Sequence, residues 1–362
     1  MKKFSYIAEI SLPGSSGYIH HVLKICDAFS NHYKTELFTF SNKINFKTLK
    51  KNYLLKKNFK IRNYEKNIIN INFWIRLKYA LYIKNKIHKN SIILSRSILS
   101  SLILSLFKIR NFLELHHQPQ GFTKILFNLS RFFCLDKFIN YIVLHKNLKE
   151  DLKLKNALIL DDAVDVLDFN KTNYKKNKYE FTFIGSLFDG KGIEIIDYLS
   201  KSFPKNRFYI FGDLKTLNQK KFDIKKLKLW KNLFLKGHVH YNNVPKILMS
   251  SKFLLMPYQK KVSVNSKNLE VSKYMSPLKL FDYLASGRTI IASKTKVYSH
   301  ILKDNFNSVL VKNKNLKQWE NKIRFILKNK KKLTHLGINS KKMAVNYTWS
   351  KRVQKIIENY NN

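Results

Sequence analysis

Residues 274–293 read YMSPLKLFDYLASGRTIIAS, and this stretch carries the strongest fold signal in the second half of the chain. Pro277 suits the first turn of a helix, and Ser276 before it is a natural N-cap. From Leu278 onward the apolar residues follow helical spacing, and Gly287 ends the helix before the strand TIIAS. The stretch therefore predicts a helix followed directly by a buried strand.

Two charged side chains lie near the start of this predicted helix. Lys279 and Asp282 fall on its first turns, where unpaired backbone amides create a positive potential. A carboxylate there can accept hydrogen bonds from two ribose hydroxyls, and the amides can receive phosphate oxygens. The pattern indicates a nucleotide site, and compensation of the helix dipole by Asp282 is the alternative.

A glycine-rich segment, FIGSLFDGKG at residues 183–192, also places a lysine at a predicted helix start. A predicted strand runs into Gly185, and Lys191 stands between Gly190 and Gly192 at the start of the next helix. A lysine beside free backbone amides can neutralise a diphosphate. The alternative is a lysine that serves solubility on an exposed loop.

Strand-sized apolar runs alternate with helical patterns along most of the chain, as in SYIAEI, TELFTF and SIILS. This alternation predicts parallel βαβ units in doubly wound sheets, and 362 residues favour two domains. The alternation pauses near the middle and resumes with YEFTFIGSL. We therefore predict an N-terminal domain at 1–165, a C-terminal domain at 166–345 and a terminal helix at 346–362.

The first predicted strand leads into the loop PGSSG, which contains Gly14 and Gly17 and directly precedes a helix. Such a loop lets backbone amides approach a phosphate or a sugar hydroxyl. It is neither a Walker A loop nor a GxGxxG fingerprint. A tight turn without a ligand is the alternative.

The charge balance is unusual, because 69 Lys+Arg stand against 23 Asp+Glu and give a formal net charge of +46. Such a field attracts polyanions. The basic residues are dispersed, however, and no nucleic-acid-binding motif is present. Abundant Lys, Asn, Ile, Phe and Tyr are typical of a low-GC genome, so charge alone does not indicate a specific nucleic-acid partner. The two cysteines, Cys26 and Cys134, are predicted to be small core residues.

The order of these motifs resembles the GT-B glycosyltransferases of family 4. The shared features are a glycine loop after the first strand, G-x-L-x-x-x-K-G at 185–192 and SPLKLFDYLASG at 276–287. The resemblance implies an α/β fold of two Rossmann-like doubly wound domains facing across a cleft, with the C-terminal helix crossing back to the N-terminal domain. It also implies a retaining transferase that moves a sugar from a UDP- or GDP-sugar to a glycan or lipid-linked acceptor in bacterial surface polysaccharide synthesis.

The resemblance also implies roles for individual residues. Lys191 matches the lysine that holds the donor diphosphate, and Asp282 matches the ribose-binding carboxylate of an E-x7-E pair. The sequence departs from the family at Ser186, where an arginine is common, and at Tyr274, where the first carboxylate of the pair would fall. The expected donor contacts are Gly14, Gly17, Gly185, Ser186, Lys191, Ser276, Pro277, Leu278, Lys279 and Asp282.

In the N-terminal half, FLELHHQPQG places His116 and His117 at the carboxyl end of a strand, where ligands of α/β sheets bind. The resemblance fits His116 best and implies contact with the reacting sugar, which makes it the catalytic candidate. A structural loop histidine is the alternative. No further ligands stand at a convincing metal spacing, and the acidic run DDAVD at 161–165 fits a cap or hinge, so we expect no metal or other cofactor.

The expected location is cytoplasmic, with peripheral attachment to the inner face of an anionic membrane. Residues 71–89, INFWIRLKYALYIKNKIHK, motivate this because aromatic and aliphatic residues alternate with cations, as on interfacial helices. An ordinary surface helix is the alternative. Two other functions stay open: a basic polyanion-binding protein, and a GT-B protein without transferase activity, the latter because of Tyr274 and Ser186.

Overall fold

The computed structural model describes residues 2–41, 44–64, 71–170, 172–228, 230–264, 269–312 and 315–361. The chain divides into two compact units. Unit 1 comprises Met1–Asp162 together with Trp349–Asn362, and unit 2 comprises Ala163–Thr348. The divisions therefore lie at 162/163 and 348/349, and the predicted boundaries are 165/166 and 345/346.

Unit 1 contains a parallel seven-stranded sheet with the strand order β3-β2-β1-β4-β5-β6-β7. Its strands are β1 (Lys3–Leu12), β2 (Lys34–Ser41), β3 (Lys60–Asn63), β4 (Ile92–Ser95), β5 (Asn111–Leu115), β6 (Ile139–Val143) and β7 (Ala157–Ile159). The helices that alternate with them are α1 (Gly17–Phe29), α2 (Phe46–Tyr53), α3 (Phe73–Lys86), α4 (Ile98–Leu106), α5 (Phe122–Phe132) and α6 (Lys146–Asp151).

Unit 2 contains a parallel six-stranded sheet with the equivalent order β10-β9-β8-β11-β12-β13. Its strands are β8 (Tyr179–Ile184), β9 (Phe208–Phe211), β10 (Leu233–Gly237), β11 (Ser251–Met256), β12 (Thr289–Ser293) and β13 (Ser308–Val311). Its helices are α7 (Val166–Asn170), α8 (Ile193–Ser202), α9 (Ile224–Lys228), α10 (Val244–Met249), α11 (Leu278–Ser286), α12 (Leu316–Lys328) and α13 (Thr334–Ala344).

The central strands are short, almost continuously apolar runs because helices cover both faces of each sheet. Every residue of β4, β5, β9 and β12 is buried. In both sheets the strand order reverses next to the first strand, between β1 and β4 in unit 1 and between β8 and β11 in unit 2. Open α/β sheets bind ligands at the carboxyl ends of the strands at such a point.

The last helix, α14 (Trp349–Asn361), belongs to unit 1, as the predicted crossing back to the N-terminal domain requires. Trp349 is buried, and its ring meets that of His21 on α1 edge-on at a centroid distance of 5.3 Å. Arg352 follows one turn later and is also buried. This segment therefore completes the core of unit 1 from the far end of the chain.

One expectation about the core needs correction. Cys26 is buried as predicted, whereas Cys134 is exposed. Residues 71–89 contain α3, whose Tyr79, Ala80 and Ile83 are fully buried while Trp74 is 67% exposed, so contact of this helix with a membrane stays a prediction. Among the described residues, no helix combines the length and the apolar composition needed to cross a bilayer.

Candidate functional site

The loop after β8 in unit 2 is shaped by glycines at the reversal point of the sheet. Gly190 and Gly192 have φ of +81° and +86°, a region that L side chains rarely adopt. A Cβ at Gly192 would lie 2.0 Å from the carbonyl oxygen of Pro257, directly after β11, and one at Gly190 would lie 1.8 Å from that of Lys261. Glycine at both positions therefore lets the loop after β8 pack against the loop after β11.

Two lysines converge at this point. Lys191 is only 8% exposed, and its Nζ lies 4.8 Å from the centre of the Tyr258 ring. The Nζ of Lys279 lies 5.3 Å from the same ring and 3.6 Å from that of Phe183. A Cβ at Gly185 would approach this Nζ to 2.7 Å. The ammonium of Lys279 is buried and has no hydrogen-bond partner among the described residues.

Electrostatics make this pair of cations costly in the absence of an anion. Burial lowers the pKa of Lys191 to about 8. Burial, reinforced by repulsion from Lys191, lowers the pKa of Lys279 well below its usual range. An unpaired buried ammonium is unfavourable unless a counter-charge arrives, so the pair is suited to a ligand with negative charge. The interpretation of Lys191 as an exposed solubility residue is wrong.

The start of α11 differs from the prediction. The helix begins at Leu278, its N-cap position is Pro277, and no side chain caps it. Ser276 is buried one residue earlier and is not the cap. The predicted cap was wrong because the chain is still extended at Pro277, so Ser276 stands one position too early to reach the first turn. The N-cap residue Pro277 thus supplies no side-chain acceptor to the start of α11, where Lys279 lies.

Tyrosines fix α11 and its acidic residue. The hydroxyl of Tyr283 accepts a hydrogen bond from the amide of Ile184 at 3.1 Å and donates to the carbonyl oxygen of Leu255 at 3.2 Å, which ties α11 to β8 and β11. Asp282 is buried, and its Oδ1 accepts a hydrogen bond from the Tyr241 hydroxyl at 3.2 Å. The carboxylate is therefore held by a specific partner and is more than a compensation for the helix dipole.

The ten predicted donor contacts divide between the units. Eight lie in unit 2, where the structure brings together the loop 185–192 and the start of α11. Ser186 is half-buried directly after Gly185, and Tyr274, which replaces the expected carboxylate, is buried. Gly14 and Gly17 lie in unit 1, where Gly14 is exposed in the loop after β1 and Gly17 is the exposed first residue of α1.

In unit 1, polar side chains from several parts of the sequence meet at Glu114 near the end of β5. Its Oε1 accepts a hydrogen bond from His116 Nε2 at 2.7 Å and from Arg352 Nη2 at 2.8 Å. His21 Nε2 lies 2.9 Å from the same oxygen, and His21 Nδ1 lies 2.6 Å from Oδ1 of Asp162. We call these five residues the Glu114 cluster. Asp162, predicted to cap or hinge the chain, belongs to it.

Opposite charges meet in the Glu114 cluster. The two ring nitrogens of His21 face carboxylate oxygens of Glu114 and Asp162. The guanidinium of Arg352 supplies a fixed positive charge beside Glu114. Although burial by itself would raise the pKa of Glu114, the charges of His21 and Arg352 hold it well below its usual range. Glu114 is therefore ionised and acts only as an acceptor.

This environment fixes the protonation state of His116. Burial, assisted by the guanidinium of Arg96, lowers the pKa of His116 to about 3. The ring is therefore neutral at physiological pH, and Glu114 holds its single proton on Nε2. Nδ1 is left as an acceptor, which can receive a hydrogen bond from a hydroxyl group. Arg96 stands nearby with its guanidinium 3.8 Å from the centre of the Tyr18 ring.

The ligand atoms of His21, Glu114 and His116 lie within 4.8 Å of one another, which within the described ranges is the one group of three that could hold a metal ion. Each of these atoms already takes part in the contacts to Glu114 Oε1. Arg352 donates to that oxygen, and the charge of Arg96 acts on His116. Two guanidinium groups oppose the entry of a divalent cation, so the hydrogen-bonded arrangement is the better interpretation.

Several residues of both sites are not among those predicted from the sequence. Tyr258 carried a usable signal, because it follows a strand at the reversal point of the sheet. Tyr241 and His21 gave no local signal. Arg352 lies 238 residues from Glu114 along the chain, so only the tertiary fold reveals their pairing.

Comparison with known proteins agrees with this architecture. Residues 166–343 match the family model described as glycosyl transferases group 1. No curated protein sequence matches the chain. Among solved structures, HepE from Anabaena in complex with UDP and glucose is 14% identical, with a TM-score of 0.73 over 100% of both chains. A TarM mutant from S. aureus, in complex with fondaparinux, α-GlcNAc-glycerol and UDP, is 14% identical, with a TM-score of 0.74 over 100% of both chains.

WaaG, described as a glycosyltransferase involved in lipopolysaccharide biosynthesis, is 14% identical, with a TM-score of 0.61 over 97% of this chain and 98% of its own. At these identities the structures establish the fold, and the family model covers most of unit 2. Residues 166–343 therefore belong to the glycosyl transferases group 1 family, and the chain is a glycosyltransferase with the GT-B fold.

Proposed function

We propose that this glycosyltransferase uses a nucleoside-diphosphate sugar, with Lys191 and Lys279 binding the diphosphate. The observation that carries the proposal is the buried ammonium of Lys279, which has no hydrogen-bond partner among the described residues and lies beside a second lysine and an uncapped helix start. A diphosphate supplies the negative charge and the acceptor oxygens that this arrangement calls for. In this proposal Asp282, which accepts a hydrogen bond from Tyr241, also accepts hydrogen bonds from the ribose hydroxyls.

We further propose that His116 contacts the reacting sugar. A neutral ring whose Nδ1 is an acceptor can bind a sugar hydroxyl and stabilise positive charge that develops at the anomeric carbon. The family resemblance motivates the finer proposals that configuration is retained and that the acceptor is a glycan or a lipid-linked glycan of a bacterial surface polysaccharide. The relation to WaaG supports that direction. Cytoplasmic location with peripheral membrane attachment completes the proposal.

Binding of the donor nucleotide is the direct test. We expect UDP to raise the melting temperature of the protein, because a ligand at a hundred times its Kd stabilises the folded state by about 2.7 kcal/mol. GDP and AMP should be compared at the same concentration: a larger shift with GDP assigns the donor to GDP-sugars, and AMP is the control without a diphosphate. A flat melting temperature with both diphosphates would contradict the proposed site.

We also propose that catalysis needs no metal ion, since two lysines and a helix start can carry the charge of the leaving diphosphate. Sugar transfer from the donor found above should therefore be unchanged by an excess of EDTA, measured as release of the nucleoside diphosphate. A loss of activity that Mg²⁺ or Mn²⁺ restores would show that a metal takes part.

A further inference from the structure

The exposed side of α5 in unit 1 is unusually apolar. Normally a surface helix turns one apolar stripe toward the core and a polar face toward solvent. In α5 the core side is occupied by Phe127 and Ser130, yet a second apolar stripe faces outward. We call it the α5 stripe; it consists of Phe122, Ile125, Leu129, Phe132 and Phe133.

The α5 stripe is continuous and strongly exposed. At 3.6 residues per turn its five side chains fall within roughly 100° of the helix circumference. Phe132 and Phe133 are 77% and 63% exposed, and their rings contact each other at a centroid distance of 5.2 Å. At the other end Phe122 meets Phe73 of α3 at 5.0 Å, and the neighbouring Trp74 is 67% exposed. Contiguous apolar surface of this kind marks an interaction site.

Cations accompany this surface. Residues 73–137 contain 11 Lys or Arg against two acidic residues, of which Glu114 is buried. Beside α5 lies a cavity of about 250 Å³, lined in part by Lys124, Arg131 and Lys153, with the single carboxylate of Asp151. Arg131 donates to the carbonyl oxygens of Leu152 and Lys153, so it is held in place there. The α5 stripe with its neighbouring cations is complementary to a surface that is apolar inside and anionic outside.

We propose that the α5 stripe inserts into the surface of an anionic lipid membrane while Lys124, Lys153 and their neighbours contact the headgroups. Aromatic and aliphatic side chains enter the boundary between headgroups and acyl chains, and cations are attracted to the negative leaflet. A second copy of this chain is a poor occupant, because it carries the same net charge of +46 and would bring like charges together. The inference rests on the proposed membrane attachment and moves its anchor from α3 to α5.

The test compares matched variants by flotation with vesicles of phosphatidylcholine containing 30% phosphatidylglycerol, at physiological salt. We expect Phe132→Ser/Phe133→Ser to lower the partition coefficient about tenfold or more, since both side chains are already exposed and their loss costs little folding stability. The matched control is Phe306→Ser/Phe325→Ser in unit 2, where both side chains are 47% exposed; it should float like the unchanged protein. Lys124→Gln/Lys153→Gln should weaken binding to these vesicles severalfold and leave the residual binding to pure phosphatidylcholine unchanged.

A fluorescent reporter can be attached without mutagenesis. Of the two cysteines, Cys26 is 0% exposed and Cys134 is exposed directly after the α5 stripe. An environment-sensitive thiol dye should therefore label Cys134 and should gain intensity and shift to the blue when anionic vesicles are added. A dye that reports unchanged solvent exposure on protein bound to vesicles would overturn insertion of α5.

The remaining outcomes separate the inference from the proposed function. If the unchanged protein does not float, membrane attachment and the α5 anchor both fail, whereas the UDP-induced melting shift still tests donor binding. If it floats and only Phe73→Ser/Trp74→Ser prevents this, attachment stands and α5 is the wrong anchor. If ultracentrifugation shows a dimer that Phe132→Ser/Phe133→Ser dissociates, the stripe is an interface between copies and the inference is overturned.

Discussion

Replacing Lys279 with methionine is expected to raise the melting temperature of the ligand-free protein and to remove most of its stabilisation by UDP. The ammonium is buried without a hydrogen-bond partner among the described residues and lies near Lys191, so its charge opposes folding until an anion binds. Methionine has a similar length and no charge. Loss of the charge-assisted hydrogen bonds to a diphosphate should weaken UDP binding on the order of 100-fold.

Replacing Lys191 with methionine should also stabilise the ligand-free protein, and this stabilisation should be confined to a defined pH range. Lowering of its pKa from 10.5 to about 8 corresponds to roughly 3 kcal/mol of destabilisation at neutral pH. Because the folded state binds this proton less tightly than the unfolded chain, the penalty is complete below about pH 8 and disappears as the pH rises toward 10.5. Lys191→Met should therefore stabilise the ligand-free protein at pH 7 and lose this advantage above pH 10.

Scanning calorimetry with and without UDP measures both quantities. The matched control is Lys246→Met, which removes an exposed lysine from α10 and should change neither the melting temperature nor the UDP shift. A Lys279→Met protein that melts earlier than the unchanged protein would show that this lysine stabilises the fold. A Lys279→Met protein that keeps the full UDP shift would show that this lysine does not bind the diphosphate.

Replacing Glu114 with glutamine should have a comparably large effect on unit 1. Its carboxylate accepts hydrogen bonds from His116 and Arg352, lies 2.9 Å from His21 Nε2 and is 2% exposed. An amide cannot balance the buried guanidinium of Arg352, and removing one partner of a buried ion pair typically costs about 3–5 kcal/mol. The substitution also removes the carboxylate that holds the proton of His116 on Nε2, so we expect sugar transfer to fall at least about 100-fold.

Two companion variants separate stability from catalysis. His116→Ala should abolish most activity with little change in melting temperature, because this ring lies at the edge of the cluster and the ion pairs of Glu114 with His21 and Arg352 persist. Glu358→Gln on α14 removes an exposed carboxylate and should change neither property. Full sugar transfer in a folded His116→Ala protein would remove His116 from the reaction.

The proposed donor site illustrates what sequence can predict. The glycines and lysines of 185–192 and 276–287 follow or precede strands, and parallel strands bring their carboxyl ends to one edge of the sheet. Local order along the chain was therefore enough to place Lys191 and Lys279 together. It was not enough to fix the cap of α11, because the predicted N-cap Ser276 lies one residue before the turn that the backbone makes at Pro277.

The proposed membrane contact illustrates the limit. Alternation of cations and aromatic residues favours residues 71–89, but it does not show that Tyr79, Ala80 and Ile83 of α3 are buried while Trp74 is exposed. In α5 the apolar residues recur on both sides of the helix, a pattern that sequence alone would assign to the core. Which side stays exposed depends on which face the rest of unit 1 covers.

By itself the sequence determined the doubly wound architecture and the two-part organisation, because these follow from periodicity. It also predicted the glycines and lysines of the proposed donor site, because these residues are adjacent to strand ends. Only the tertiary structure decided the Glu114 cluster, the protonation of His116, the absence of a partner for the Lys279 ammonium among the described residues and the outward α5 stripe. Each of these depends on contacts between residues far apart in sequence or on burial, and neither is encoded in local spacing.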